Sequence, residues 1–241
     1  MSEKGESLDD LLLSLNLLRT KSQASFEFKD FIALKNESIA LDRRFADWQE
    51  SRVAEFNPTL AGHVIRSQDE SPIAVGCWPG KVDTYFDLYV AGVWNVFRAA
   101  RLLLTTLIIT LSDATKDKGS RASHTHIASD IAEDLIASIP YHLADSLQIF
   151  LNEVTADTGI TTPGRALGGL LLLHPLYVAS RVPFLPKYMR EYAQRCLTWI
   201  GSNMGLGQAD LLAKVREPPS GSFTYLSKLI AYPLWPLGSK Y

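Results

Sequence analysis

Residues 83–112 read DTYFDLYVAGVWNVFRAARLLLTTLIITLS, and the reading of this stretch decides the fold. It holds no proline and a single glycine, Gly92. Apolar residues occupy nearly every side at helical spacing, which marks a helix enclosed by others rather than one laid on a surface. Asp87, Asn95, Arg98, Arg101, Thr105 and Ser112 interrupt them, spaced 8, 3, 3, 4 and 7 apart. At about 100° per residue these positions fall within a stripe roughly 120° wide. The stretch predicts a buried central helix over about 84–112 with one polar seam carrying two guanidinium groups and an amide. Both arginines should be buried and paired, because an unpartnered guanidinium inside a fold costs several kcal/mol.

Outward from this helix the remaining signals are helical too. Ser7 can cap a first helix with Asp9 and Asp10 in its first turn, and Leu8, Leu11, Leu12, Leu15 and Leu18 follow at helical spacing. A second helix is expected over about 25–52, with Phe28, Phe31, Ile32, Ile39, Leu41, Phe45 and Trp48 on its apolar side. Residues 57–79, including SQDESP and CWPG, read as irregular. Beyond the central helix, DATKDKGSR reads as a solvated connection. Residues 123–139 then place Ile127, Ile131, Leu135 and Ile139 at successive i+4 steps until Pro140 ends or kinks the helix.

Further helices are expected over 141–154, 166–180, 186–205 and 208–215. Gly168-Gly169 lets another backbone come close, and Pro175 kinks its helix. Pro186 suits a first helical position, and Gly205 and Gly207 a closing turn. The tail over 216–241 is rich in aromatic residues and proline, and no useful period-2 alternation appears. The expectation is one all-α domain over 1–241: an irregular bundle around the central helix, with a leucine-rich helix within 1–24 at its start.

Composition limits the function. A hydrophobic fraction of 46% supplies a sizeable core, and a net charge of −2 argues against a nucleic-acid surface across the domain. Cys77 and Cys196 cannot make a four-thiolate zinc site or a disulfide framework, and the polar start MSEKGESLDD has no apolar targeting core, which together suit a reducing compartment. His124 and His126, two apart on a helix, point away from each other, so no metal site is expected. Arg98 and Arg101 make the central stretch unfit as a membrane span, and its uninterrupted part, 102–111, is too short. Gly168-Gly169 lacks the lysine and following hydroxyl of a phosphate loop, so no nucleotide or other cofactor is expected.

At DLYVAGVWNVFRAARLLL the chain resembles the C-terminal effector region of fungal zinc binuclear-cluster transcription factors. The residues that carry the resemblance are Asp87, Leu88, Trp94, Asn95, Arg98 and Arg101. It continues in family order through DIAEDLIASIPYHL, PGRALGGLLLLHPLYVAS and CLTWIGSNMGLGQADLLA, covering about residues 38–215. The family's DNA-reading module needs six closely spaced cysteines with basic neighbours, and this chain has neither. The resemblance implies a C-terminal portion of a longer protein, or a stand-alone relative without the DNA-binding part.

Three functions fit these observations. The resemblance implies a ligand-sensing or partner-binding domain in fungal transcription, nuclear, controlling metabolism or a secondary-metabolite gene cluster. A cytoplasmic helical-pocket enzyme of cyclisation, isomerisation or condensation type leaves little motif, and would draw on Asp87, His142, His174 and Tyr177 beside the arginines. A scaffold or dimerisation module would use the leucine-rich start or the tail. The partners expected are a small metabolite, a second copy or the transcription machinery, with no direct DNA contact and no membrane. A mostly apolar pocket for a small anionic or oxygenated metabolite is expected where Gly168, Gly169 and the Pro175 kink meet the seam of Asn95, Arg98 and Arg101; a fully packed core is the alternative. Elemental analysis of the purified chain should find no stoichiometric zinc, since two cysteines cannot build a six-cysteine cluster. A stoichiometric zinc content would overturn this.

Overall fold

The computed structural model describes residues 6–22, 28–65, 72–154 and 159–214. The tail over 216–241 and residues 67–71 of the SQDESP segment lie outside the described residues. Helix α1 (Leu8–Ser22) is closed at its start by a reciprocal cap. The Asp10 amide donates to Ser7 Oγ at 3.2 Å, and the Ser7 amide donates to the Asp10 carboxylate at 3.3 Å. Helix α1 packs Leu11, Leu15 and Leu18 inward and runs antiparallel along α2 (Phe28–Glu50). Lys21–Glu37, at 2.7 Å, and Arg44–Glu6 bracket the pair. Past the end of α2, Arg52 donates to the Trp48 carbonyl at 3.0 Å and lies over the Trp48 ring.

The chain then forms two strands that the sequence pattern does not announce. β1 (Thr59–Val64) pairs antiparallel with β2 (Gly80–Thr84), from Thr59 opposite Thr84 to Val64 opposite Gly80. A bulge between Leu60 and Gly62 breaks the alternation, so the ribbon carries no clean period of two. The irregular reading of 57–79 and the absence of strands are corrected accordingly. Between the strands, Gly76 has a φ of +89°, and its amide donates to the Tyr192 hydroxyl at 3.0 Å, joining residues 116 apart.

Because β2 runs to Thr84, the central helix α3 starts later than expected, at Leu88, and runs to Ala114. Asp87 is its N-cap, accepting from the Val90 amide at 2.7 Å. By length and hydropathy α3 could cross a membrane, but 83% of its most apolar window is buried inside the domain. The connection after it is shorter than the polar composition suggested. Lys116 takes a left-handed φ of 57°, and Asp117 caps α4 (Lys118–Ala137), which starts five residues before the expected Ser123. The neighbouring Lys35 amine reaches Asp117 at 2.9 Å from α2.

Pro140 sits in the first turn of α5 (Ile139–Leu143), so the chain does break there. The expected 141–154 helix is split, because Ser146 caps a separate α6 (Leu147–Glu153). Helix α7 (Ala166–Arg181) runs through Pro175, and α8 (Lys187–Met204) begins after Pro186 and ends at Gly205, with φ of 72°. A last helix, α9 (Gly207–Lys214), lies against α7 and α8. The result is a helical bundle around α3, which packs against α1, α2, α4 and α7, with the ribbon at one end against α4 and α5.

Gly168 marks the tightest crossing in this bundle. A Cβ placed there would lie 1.9 Å from the carbonyl oxygen of His142, so only glycine lets α7 pass α5. At Gly169 a Cβ would meet Met204 Sδ at 2.7 Å. Gly168→Ala should therefore lower stability by about 2–3 kcal/mol in a urea titration, as overpacking against rigid backbone does. Gly207→Ala, with nothing within 4 Å, should be neutral or slightly stabilising in the same titration.

Candidate functional site

The polar seam of α3 is buried, and it organises a network rather than an open surface. The Arg98 side chain is 4% exposed. One terminal nitrogen donates to the Tyr85 hydroxyl at 2.7 Å and to Asn95 Oδ1 at 2.9 Å, and the other lies 3.9 Å from Asp83 Oδ2. A guanidinium only donates, so its contact fixes which end of the Asn95 amide is oxygen. The Asn95 nitrogen then has both protons to give, one to Ser138 Oγ and one to His142 Nε2, each at 2.9 Å. His142 is therefore neutral, with its proton on Nδ1.

Burial pushes the His142 pKa down to about 3, helped by the charge of Arg98; the carbonyls of Ala91 and Gly168 oppose the shift and are outweighed. Burial likewise raises the Tyr85 hydroxyl against the pull of Arg98, and raises the Asp83 carboxyl against the pull of Lys81 and Arg98. Burial draws Lys81 down most strongly, but the hydrogen bonds and charges of Asp134 and Asp83 together outweigh it and its pKa rises.

Arg101, one turn further on, points away from this network. Its Nε meets Asp42 at 2.8 Å, and a terminal nitrogen reaches the side-chain Oε1 of Gln49 at 3.3 Å. Both arginines are thus buried or nearly so and paired, as the cost of a bare guanidinium demands. Thr105 returns its hydroxyl to the carbonyl of Arg101, and Ser112 meets Ser120, so the far end of the seam is spent on local bonds.

A cleft of about 610 Å³ opens beside the seam. One wall is the α3 stripe Trp94, Phe97, Arg98 and Arg101; the other is the α4 stripe Ile127, Ile131, Asp130 and Asp134. Each stripe has the i, i+3, i+4, i+7 spacing of one helix face. Gln49 and Glu50 from the end of α2, Asn57 and Pro58 before β1, and Lys81 from β2 complete the rim. Lys81 bridges to Asp134 at 2.7 Å and to Asp83 at 3.4 Å, tying the ribbon to α4. A smaller hollow of about 260 Å³, bordered by Asp145, Phe150 and Ile160, lies away from the seam.

The residues singled out from the sequence thus separate into groups. Arg98 and Arg101 line the cleft, and Asn95 stands behind them in the network with His142. Gly168 and Gly169 are points of close helix packing and do not line the cleft. Asp87 is an exposed helix cap, His174 is partly buried on α7 with its pKa lowered by burial, and Tyr177 is buried beneath Arg181. His142 is the one member of the enzyme set bonded to the seam. Among the described residues no cluster of three histidine, cysteine, aspartate or glutamate side chains is placed to hold a metal.

Sequence reasoning missed Asn57, Lys81, Asp83 and Tyr85. The ribbon that carries or adjoins them was not recognised, although Lys81, Asp83 and Tyr85 alternate. It also took Ile127 and Ile131 for buried core alone, whereas they form a cleft wall.

In comparison with known proteins, the chain is 42% identical over 217 residues to the protein named Transcription factor dbaG from Emericella nidulans. The match takes in 87% of this chain and 52% of that protein, so the chain spans about half the length of the curated relative. No family profile matches the chain, and no solved structure does.

Arg98→Ala should cost about 2–4 kcal/mol in chemical denaturation, because it strips Asp83, Tyr85 and Asn95 of their shared partner. An unchanged midpoint would show the network to be dispensable. His142 should also make stability depend on pH. Its folded pKa lies below the ordinary 6.5, so the unfolded chain takes up the proton first. The contribution is whole above pH 6.5 and shrinks as pH falls towards about 3, by at most about 1.4 kcal/mol per pH unit. His142→Gln should flatten that slope in melting curves recorded across this window.

Proposed function

We propose that this chain is a regulatory domain of a fungal transcription-factor-related protein, acting in the nucleus on genes of metabolism or of a secondary-metabolite cluster. The kinship over 87% of the chain to a protein named a transcription factor is the observation that carries this reading. The order of motifs along residues 38–215, centred on Trp94, Asn95, Arg98 and Arg101, supports it from the sequence side. In this reading the chain senses a small molecule, with the cleft between α3 and α4 as its receiving surface. Occupancy changes how the ribbon and α2 sit on α3, and DNA contact belongs to another module. The near-neutral charge, with acids interleaved among the bases, agrees with that division of labour.

The test is a fusion of the whole chain to a heterologous DNA-binding module in a fungal host, read through a reporter placed behind that module's site. Reporter output should differ from that of the module alone, and Arg98→Ala, which disturbs the seam, should move it back towards the module's own level. A fusion indistinguishable from the bare module would refute the regulatory reading. Mobility-shift assays with the chain alone should show no sequence-specific duplex binding at physiological salt.

A further inference from the structure

We infer that the cleft between α3 and α4 takes a flat, uncharged molecule that donates hydrogen bonds, a hydroxylated aromatic, and turns away carboxylates. The inference rests on the regulatory reading and gives it a ligand class. Its first support is shape. Trp94 and Phe97 on one wall and Ile127 and Ile131 on the other supply the apolar part of the lining, alongside Arg98, Arg101, Asp130 and Asp134, so the cleft suits a ring that carries polar groups. The volume of about 610 Å³ lies within the usual span of small-molecule sites, roughly 300–1,000 Å³.

The second support is the state of the charges. Three cations line the cleft, yet each already has a carboxylate: Lys81 has Asp134, Arg98 has Asp83, and Arg101 has Asp42. Glu50 and Asp130 stand at the rim besides. Carboxylates therefore outnumber the cations around this space, and an incoming anion finds no uncommitted positive charge. Of the anionic or oxygenated metabolite expected from the sequence, this favours the oxygenated one.

The third support is an acceptor that lacks a donor. Asn57 lines the cleft, and its Oδ1 is buried without a hydrogen-bond partner. A buried acceptor left unpaired has lost its water without replacement, a cost that a ligand hydroxyl would recover. One backbone bond and one side-chain bond hold the segment that carries this acceptor in place. The Asn57 amide donates to the Ala54 carbonyl at 3.1 Å, and the indole of Trp94 donates to the Phe56 carbonyl at 2.7 Å. The same tryptophan that offers its ring to the ligand thus anchors the segment that offers the acceptor.

The experiment uses three probes with one ring and different charge: para-hydroxybenzyl alcohol, para-hydroxybenzoate and para-hydroxybenzylamine. Each is titrated at millimolar concentration into the full isotope-labelled chain, reading the Asn57 side-chain amide and the Trp94 indole by NMR. The alcohol should shift both signals, with the benzoate at least ~10-fold weaker, a gap of about 1.4 kcal/mol, and the amine weaker than the alcohol. Asn57→Leu should reduce the Trp94 response to the alcohol by about tenfold. Ile127→Trp, a change at a partly exposed position on the opposite wall, should block it sterically and guards against a folding defect in the first variant. Equal or tighter binding of the benzoate or the amine overturns the inference, as does silence with all three probes or a response untouched by Asn57→Leu. If the probes are silent while the fusion still moves its reporter, the ligand class falls and the regulatory reading stands. Binding of the alcohol with an inert fusion gives the converse.

Discussion

A guanidinium buried in the middle of the longest helix is the constraint on which the rest of this structure depends. Arg98 cannot shed its proton, so an opposite charge and hydrogen-bond acceptors must be brought to it. The ribbon supplies Asp83 and, just beyond it, Tyr85; α3 itself supplies Asn95. Asn95, with its oxygen committed to Arg98, turns its nitrogen towards Ser138 and His142, at the junction of α4 and α5. The short helix α5 is thereby set against α7, where Gly168 passes the carbonyl of His142. One charge accounts for the placement of a strand, a helix junction and a helix crossing.

Arg98 also faces the cleft, so it belongs to two systems at once. On one side it lies in the wall between Trp94 and Arg101; on the other it holds Asn95. Lys81 has a similar double position, reaching Asp134 on α4 and Asp83 within the ribbon. A molecule that displaces either contact from the cleft side acts on residues that fix the packing of α5, which gives the proposed sensing a physical route through the domain.

Much of the bundle was legible because helix period is a strong signal over long segments. The apolar sides of residues 88–114 and the polar seam through Asn95, Arg98 and Arg101 were readable from angular position alone. Asp87 falls on that same stripe yet is a cap, because β2 displaces the helix start to Leu88, and spacing does not reveal a boundary. The ribbon escaped notice since its bulge at Leu60–Gly62 scrambles alternation and its strands are half exposed. The cleft was illegible for a different reason. Ile127 and Ile131 share an apolar stripe with Leu135, and nothing in spacing separates a wall that touches its neighbour from one that stands off it.

The bond from the Gly76 amide to the Tyr192 hydroxyl has a consequence for how the chain is made. The residues that line the cleft all lie between positions 49 and 134, so a ribosome delivers them before α7 and α8 exist. The segment leading into β2, by contrast, is fastened by a side chain 116 residues later. Closing so long a loop is slow compared with pairing neighbouring helices. During synthesis, the walls of the cleft are therefore assembled early, and the supporting strand is locked only when α8 emerges.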